Sequence, residues 1–176
     1  MNNPPAPKIE KKGNLYIARH GRTIANAEKR FQTEDDVLDE QGRRDAETLK
    51  EQFKSVSLDY IVTGNLVRHI QTGEPISREK GITPIRINEL REFDTGTLKC
   101  TVYPEGHYLY DFLFSEAGKR GVETLESAAE RADYIKNLFL SEKYRCSNTL
   151  AITSSTIGIF IGLALEGIDW KRSDIH

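Results

Sequence analysis

The sequence predicts an α/β fold with a mainly parallel central sheet and helices on both faces. Three observations carry this. Short apolar, β-branched or aromatic runs at residues 15–18, 59–63, 84–89 and 149–153 each lead into a polar turn. Amphipathic segments of helical period stand between them. The two kinds of segment alternate, which is the order that crossover connections need to build a parallel sheet.

Taken in order, Leu15-Tyr16-Ile17-Ala18 reads as a strand delivering Arg19 and His20 into the turn Gly21-Arg22-Thr23. Residues 40–54 place Ala46, Leu49 and Phe53 on one stripe and Glu47, Glu51 and Lys54 off it, a crossover helix to the second strand. Residues 66–72 suit a short helix, after which Pro75 and Pro84 bracket a loop. Residues 93–119 form an irregular excursion rich in aromatics: Phe93, Tyr103, His107, Tyr108, Tyr110, Phe112 and Phe114. Those rings either rim a site or seal a satellite core under a long loop. Residues 122–139 carry Val122, Leu125, Ala129, Ala132, Ile135 and Phe139 along one helical side. The last strand, 149–153, turns at Ser154-Ser155-Thr156 into an apolar helix over 155–165.

At 176 residues the chain fits one domain with one core. The Pro- and Asn-rich residues 1–13 read as a flexible arm and the domain as 14–176. With 25 basic against 27 acidic residues and no polybasic block, a nucleic-acid groove is not expected. The two cysteines and four histidines lack metal-ligand spacing, so no metal site and no cofactor are expected. No apolar run suits a signal peptide or a membrane span; the expected setting is cytoplasmic.

In open parallel sheets, ligands bind beyond the carboxyl ends of strands. That rule gathers residues 19–23, 64–68, 90–94 and 153–156 at one place. Arg19, Arg22 and Arg68 could surround a phosphoryl group with guanidinium forks. His20 among them could attack phosphorus through a neutral ring nitrogen, dividing hydrolysis into transfer to protein and attack by water. Glu92, beside the apolar Phe93, is the preferred proton donor to the leaving oxygen, with Glu89 its competitor. Asn26 either orients a phosphate oxygen or caps a local turn.

The ordered motifs resemble the histidine phosphatase superfamily, also called phosphoglycerate-mutase-like. Arg19-His20-Gly21-Arg22-Thr23 is similar to its Arg-His-Gly-Glu/Gln-Thr signature, with Asn26 at the usual downstream Asn. Asp36, Leu38, Gly42, Ala46 and Leu49 fit the pattern that follows. Leu66-Val67-Arg68-His69-Ile70-Gln71-Thr72 is similar to Leu-x-Arg-Ala-x-Gln-Thr, Leu90-Arg91-Glu92-Phe93-Asp94-Thr95-Gly96 to the acid-bearing segment, and Gly121-Val122-Glu123-Thr124 to Gly-Gly-Glu-Ser. The resemblance implies a three-layer α/β/α sandwich and a metal-independent phosphoryl chemistry. In it His20 would be phosphorylated, Arg19 and Arg68 would hold phosphate, and Glu92 would donate the proton.

Three departures qualify it. Ser154 stands where the family's second histidine binds phosphate, and a neutral hydroxyl supplies less than an imidazolium. Arg22 replaces an acidic or amide residue, either offsetting that loss or blocking the pocket. Residues 166–176 offer no apolar run to match the family's further strand beside the first, so the sheet is expected to be shortened at its C-terminal edge. An exposed first strand then favours a homodimer or cover by the N-terminal arm. His69 follows Arg68 on a helix and is expected to point away from the pocket. The leading expectation is a phosphomonoester hydrolase of a small phosphorylated substrate. The alternatives are an impaired, phosphatase-like protein that binds a phosphorylated ligand or a protein partner, and a purely structural module.

Overall fold

A computed structural model describes residues 12–106 and 109–172, so most of the 1–13 segment, His107 and Tyr108 lie outside the described residues. β1 (Leu15–Arg19) is followed by the single turn α1 (Ile24–Ala27) and by α2 (Glu40–Gln52). Next come β2 (Tyr60–Thr63), α3 (Val67–Lys80) and β3 (Ile85–Arg86). After two 3₁₀ turns the chain forms α4 (Leu109–Ser115), α5 (Leu125–Leu140) and α6 (Glu142–Arg145). β4 (Thr149–Thr153) and α7 (Ser155–Glu166) end the sandwich.

The sheet order is β1-β4-β2-β3, and every pairing is parallel. Alternate side chains of its central strands go to opposite faces. Ile61, Leu150 and Ile152 join Leu58, Ile76, Leu49 and Phe53 beneath α2 and α3. Val62 and Ala151 join Ile135, Phe139, Ile157, Phe160 and Ile161 beneath α5 and α7. The three-layer α/β/α sandwich with a parallel central sheet is therefore as the sequence predicts. β1 lies at one edge, where Ile17 keeps 40% of its surface exposed.

Two element boundaries differ from expectation. The loop expected between Pro75 and Pro84 is mostly helix, because α3 runs through Pro75 to Lys80. Pro75 lacks an N–H for the carbonyl one turn back, but Ile76 beside it is fully buried against β2 and β4, and that packing outweighs the lost bond. The stop is Gly81, whose φ of 64° ends the helix in the left-handed conformation. The strand expected over 84–89 contracts to Ile85–Arg86, and Asn88–Leu90 tightens into a 3₁₀ turn. Leu90, fully buried, draws the chain off the sheet edge there.

The aromatic excursion does both things weighed for it. Tyr103, Phe112 and Phe114 pack on the core under α5 and α7, while Tyr103 and Tyr110 also face the cleft at the strand ends.

Candidate active site

All four expected segments meet at the carboxyl ends of the strands. The turn after β1 is tied to β4 by His20 N–H donating to Thr153 O at 2.9 Å. Gly21 lies against Gly42 of α2 so closely that a Cβ on either would collide with backbone, which is why the turn needs glycine. His20 is 5% exposed, and its Nδ1 sits 2.8 Å from Gly21 O. A carbonyl only accepts, so Nδ1 carries the hydrogen and Nε2 holds the lone pair. Burial first, and then the Arg68 charge, push the imidazole pKa down to about 3. Gly21 O works the other way and Arg19 adds a smaller depression. His20 is neutral at pH 7.

Arg68, in the first turn of α3, is 2% exposed. One terminal nitrogen donates to Thr33 O at 2.7 Å, and its buried Nε has no partner among the described residues. Thr33 is in turn held by Asp36, which accepts from its N–H at 2.6 Å and pairs with Arg30 at 2.7 Å. No carboxylate lies within ion-pairing distance of Arg68 among the described residues. Burial lowers its pKa, opposed by the charge of Glu92 and then Asp36. Arg19, at the end of β1, is exposed and lines the same cleft with Arg68, Glu92, Tyr103, Tyr110 and Ser155.

Glu92 is half-buried on that cleft, its Oε1 accepting from Phe93 N–H at 2.8 Å. Its loop is clamped by Arg131 of α5, which donates to the carbonyls of Glu89 and Arg91, each at 2.8 Å. The same guanidinium forks onto Glu123 at 2.9 and 2.6 Å, and Glu123 accepts from Asp94 N–H at 3.1 Å. Glu89 does not line the cleft. The Arg131–Glu123 clamp was not among the sequence expectations. Its signal is a buried arginine beside the apolar stripe of 122–139, with the motif glutamate just before that helix.

Asn26 closes a capping box with Thr23 and lines the cleft near Tyr103, so it supports the turn while facing the site. Arg22 is bound elsewhere: its Nε donates to Asp39 at 2.7 Å, and Asp39 caps α2. It lines a second depression with His20 and Thr72, which meets the first at Arg19 and Asn26.

After β4, Ser154 is 1% exposed and is the N-cap of α7, yet its side chain makes no capping bond. Its Oγ is 2.7 Å from Nε2 of His69. His69 lines neither depression, as expected, but its fully buried ring lies 5.5 Å centroid to centroid from that of His20, a contact the helical spacing does not predict. Side chains in a first helical turn lean back toward the helix N-terminus, so Arg68 and His69 both reach over the strand ends, rotated apart by one residue. Gly64 makes the room, since a Cβ there would collide with His69 Nδ1. The residues that make this contact, Gly64, His69 and Ser154, lie in three separate segments of the sequence.

Among the described residues, no three His, Cys, Asp or Glu side chains cluster as a metal site, and no helix is long and apolar enough to cross a membrane. Relatives include a probable phosphoglycerate mutase of Cronobacter sakazakii, 37% identical over 86 residues, 48% of this chain and 40% of that protein. A 2-carboxy-D-arabinitol-1-phosphatase of Triticum aestivum is 31% identical over 119 residues, 65% of this chain and 24% of that protein. The chain thus spans well under two thirds of these relatives' lengths. Among solved structures, a putative α-ribazole-5′-phosphate phosphatase of Escherichia coli superposes with TM-score 0.78 at 19% identity, over 90% of this chain and 81% of that one. A mycobacterial glucosyl-3-phosphoglycerate phosphatase gives 0.76 at 20% identity, over 88% and 81%. At such identities the likeness is one of fold. The model of the histidine phosphatase superfamily (branch 1) matches residues 15–134, from β1 into α5, and on that match the chain belongs to this superfamily.

Proposed function

We propose that the protein hydrolyses phosphomonoesters of small organic molecules through a phosphohistidine on His20. The Nε2 lone pair attacks phosphorus while the ester P–O bond breaks and its electron pair leaves on the alkoxide oxygen. Glu92 gives that oxygen a proton. Water then attacks phosphorus, returning a proton to Glu92 and releasing phosphate and neutral His20. Arg68 and Arg19 balance the charge on the equatorial oxygens. Asn26 and Ser154 add neutral hydrogen bonds, and Arg22 reaches phosphate only if it leaves Asp39.

The observation that carries this reading is the buried Arg68 guanidinium with no carboxylate partner among the described residues, set beside a neutral imidazole. A buried charge without a counter-ion is costly unless a ligand supplies one. The names of the two relatives and two structures given above concern phosphorylated small metabolites. The aromatic rim of Tyr103 and Tyr110 suits an organic leaving group. Two free cysteines fit a reducing, cytoplasmic setting.

The test is turnover of a generic aryl phosphate and a panel of metabolite phosphates by the native chain and by H20A. Hydrolysis that drops by about a thousandfold or more in H20A supports the reading; hydrolysis that survives in H20A overturns it. A second reading, phosphate binding without turnover, is favoured by the neutral Ser154 and by Arg22 being bound to Asp39. It holds if the native chain binds phosphate but turns nothing over. We further propose that the open β1 edge pairs with a second copy, which light scattering would report as a dimer mass and a monomer mass would refute.

A further inference from the structure

His69, fully buried, takes no part in the steps above, and Ser154, 1% exposed, supplies only a neutral hydrogen bond there. Ser154 could cap α7 with its own hydroxyl but does not. The hydroxyl sits instead on His69 Nε2, between the turn that carries His20 and the first turn of α7. Thr153 is the register partner of Arg19, so Ser154 stands level with His20 on the neighbouring strand. The next two residues, Ser155 and Thr156, line the cleft with Arg68 and Glu92.

The direction of the 2.7 Å bond follows from the other ring nitrogen. His69 Nδ1 has no hydrogen-bond partner among the described residues and lies against the Cα of Gly64, on the side where a Cβ would stand. A hydrogen on Nδ1 would be a buried donor facing a C–H group, whereas a bare lone pair there receives a weak C–H contact. The single hydrogen of the neutral ring therefore belongs on Nε2 and is donated to Ser154 Oγ. Burial, with His20 and Arg68 close by, keeps the ring neutral. With its oxygen already accepting, Ser154 has its own O–H free to donate, strengthened by the bond it receives.

Resting on the hydrolase reading, we infer that Ser154 donates a hydrogen bond to the phosphoryl group and that His69 is the positioning residue that aims and polarises that hydroxyl. Ser154 touches the phosphoryl oxygens; His69 does not.

The experiment compares the native chain with H69A, H69Q, S154A, H69A/S154A and H69A/S154H. It reads aryl phosphate turnover and, separately, binding of inorganic phosphate by calorimetry. H69A and S154A should each lower kcat by about a hundredfold with KM changed little. The double alanine should be no worse than either single variant, because the two act as one unit. H69Q, whose amide can still donate to Oγ, should retain more activity than H69A, and H69A/S154H should recover at least about tenfold over H69A. A purely structural role for His69 would give neither the coupling nor the rescue. Single variants within about threefold of native, or losses that multiply in the double variant, overturn the inference while leaving the His20 reading intact. Should the native chain lack turnover, the hydrolase reading fails alone, and phosphate affinity decides. Weakening of about tenfold in both H69A and S154A supports the pair; unchanged affinity, or no binding by the native chain, refutes it. H69Q, nearest in volume and polarity, carries the comparison if the alanine variant does not fold.

Discussion

Arg131 and Arg68 are both buried arginines reaching toward the Glu92 loop and the cleft, but they solve the problem of a buried charge in opposite ways. Arg131 forks onto Glu123 and donates to two carbonyls, so every nitrogen of its head is engaged. Among the described residues Arg68 has one backbone acceptor, an unpartnered Nε and no ion pair. The first arrangement is closed and holds a loop. The second is open toward a cleft, which is what a site for an anion requires of a protein that must also fold without the anion.

The contrast is sharpest when each charge is removed. R131M leaves the Glu123 carboxylate buried without its partner and frees the carbonyls of Glu89 and Arg91. The expected cost is about 3–5 kcal/mol in urea unfolding. R68M strands no carboxylate and frees only the Thr33 carbonyl, so the same measurement should show a loss of no more than about 1 kcal/mol, while kcat/KM falls about a hundredfold or more. Inorganic phosphate should raise the melting temperature of the native chain and not that of R68M. An R68M variant as unstable as R131M would make the two arginines alike and Arg68 structural.

A smaller effect tests the electrostatics around Arg68. The folded pKa of His20 is depressed to about 3 against an ordinary 6.5, so the unfolded chain binds more protons in between. Stability from this group is fully present above pH 6.5 and is lost as pH falls toward 3, with a slope of about 1.4 kcal/mol per pH unit at most. His69 adds to the loss in the same direction. In phosphate-free buffer, H20A should flatten the dependence of unfolding free energy on pH between 4 and 6; an unchanged slope would place His20 outside the buried, cationic setting.

Much of the molecule was legible because it is local. A strand ending in Arg19-His20-Gly21, an amphipathic crossover helix and a strand-to-helix turn at Ser154 are each written in a few adjacent residues, and the rule for ligand sites in parallel sheets brings them together. What escaped depends on tertiary packing. The helix through Pro75 rests on the burial of Ile76, and the short β3 on that of Leu90. Arg22 could not be known to sit on Asp39, seventeen residues away across a turn. The contact of His69 with Ser154 is not written in helical spacing, because side chains of a first helical turn also lean toward the strand ends. The clue lay in reading residues 64, 69 and 154 jointly, since a glycine, a histidine and a serine in three separate segments make one contact.

The central claim is that the Nε2 of His20 becomes bonded to phosphorus, and rapid-quench labelling with a radioactive aryl phosphate tests it most directly. The expected result is an acid-labile, base-stable label on the peptide containing His20, formed by the native chain and absent from H20A. Hydrolysis that proceeds with no such label, or a label that persists in H20A, would contradict it.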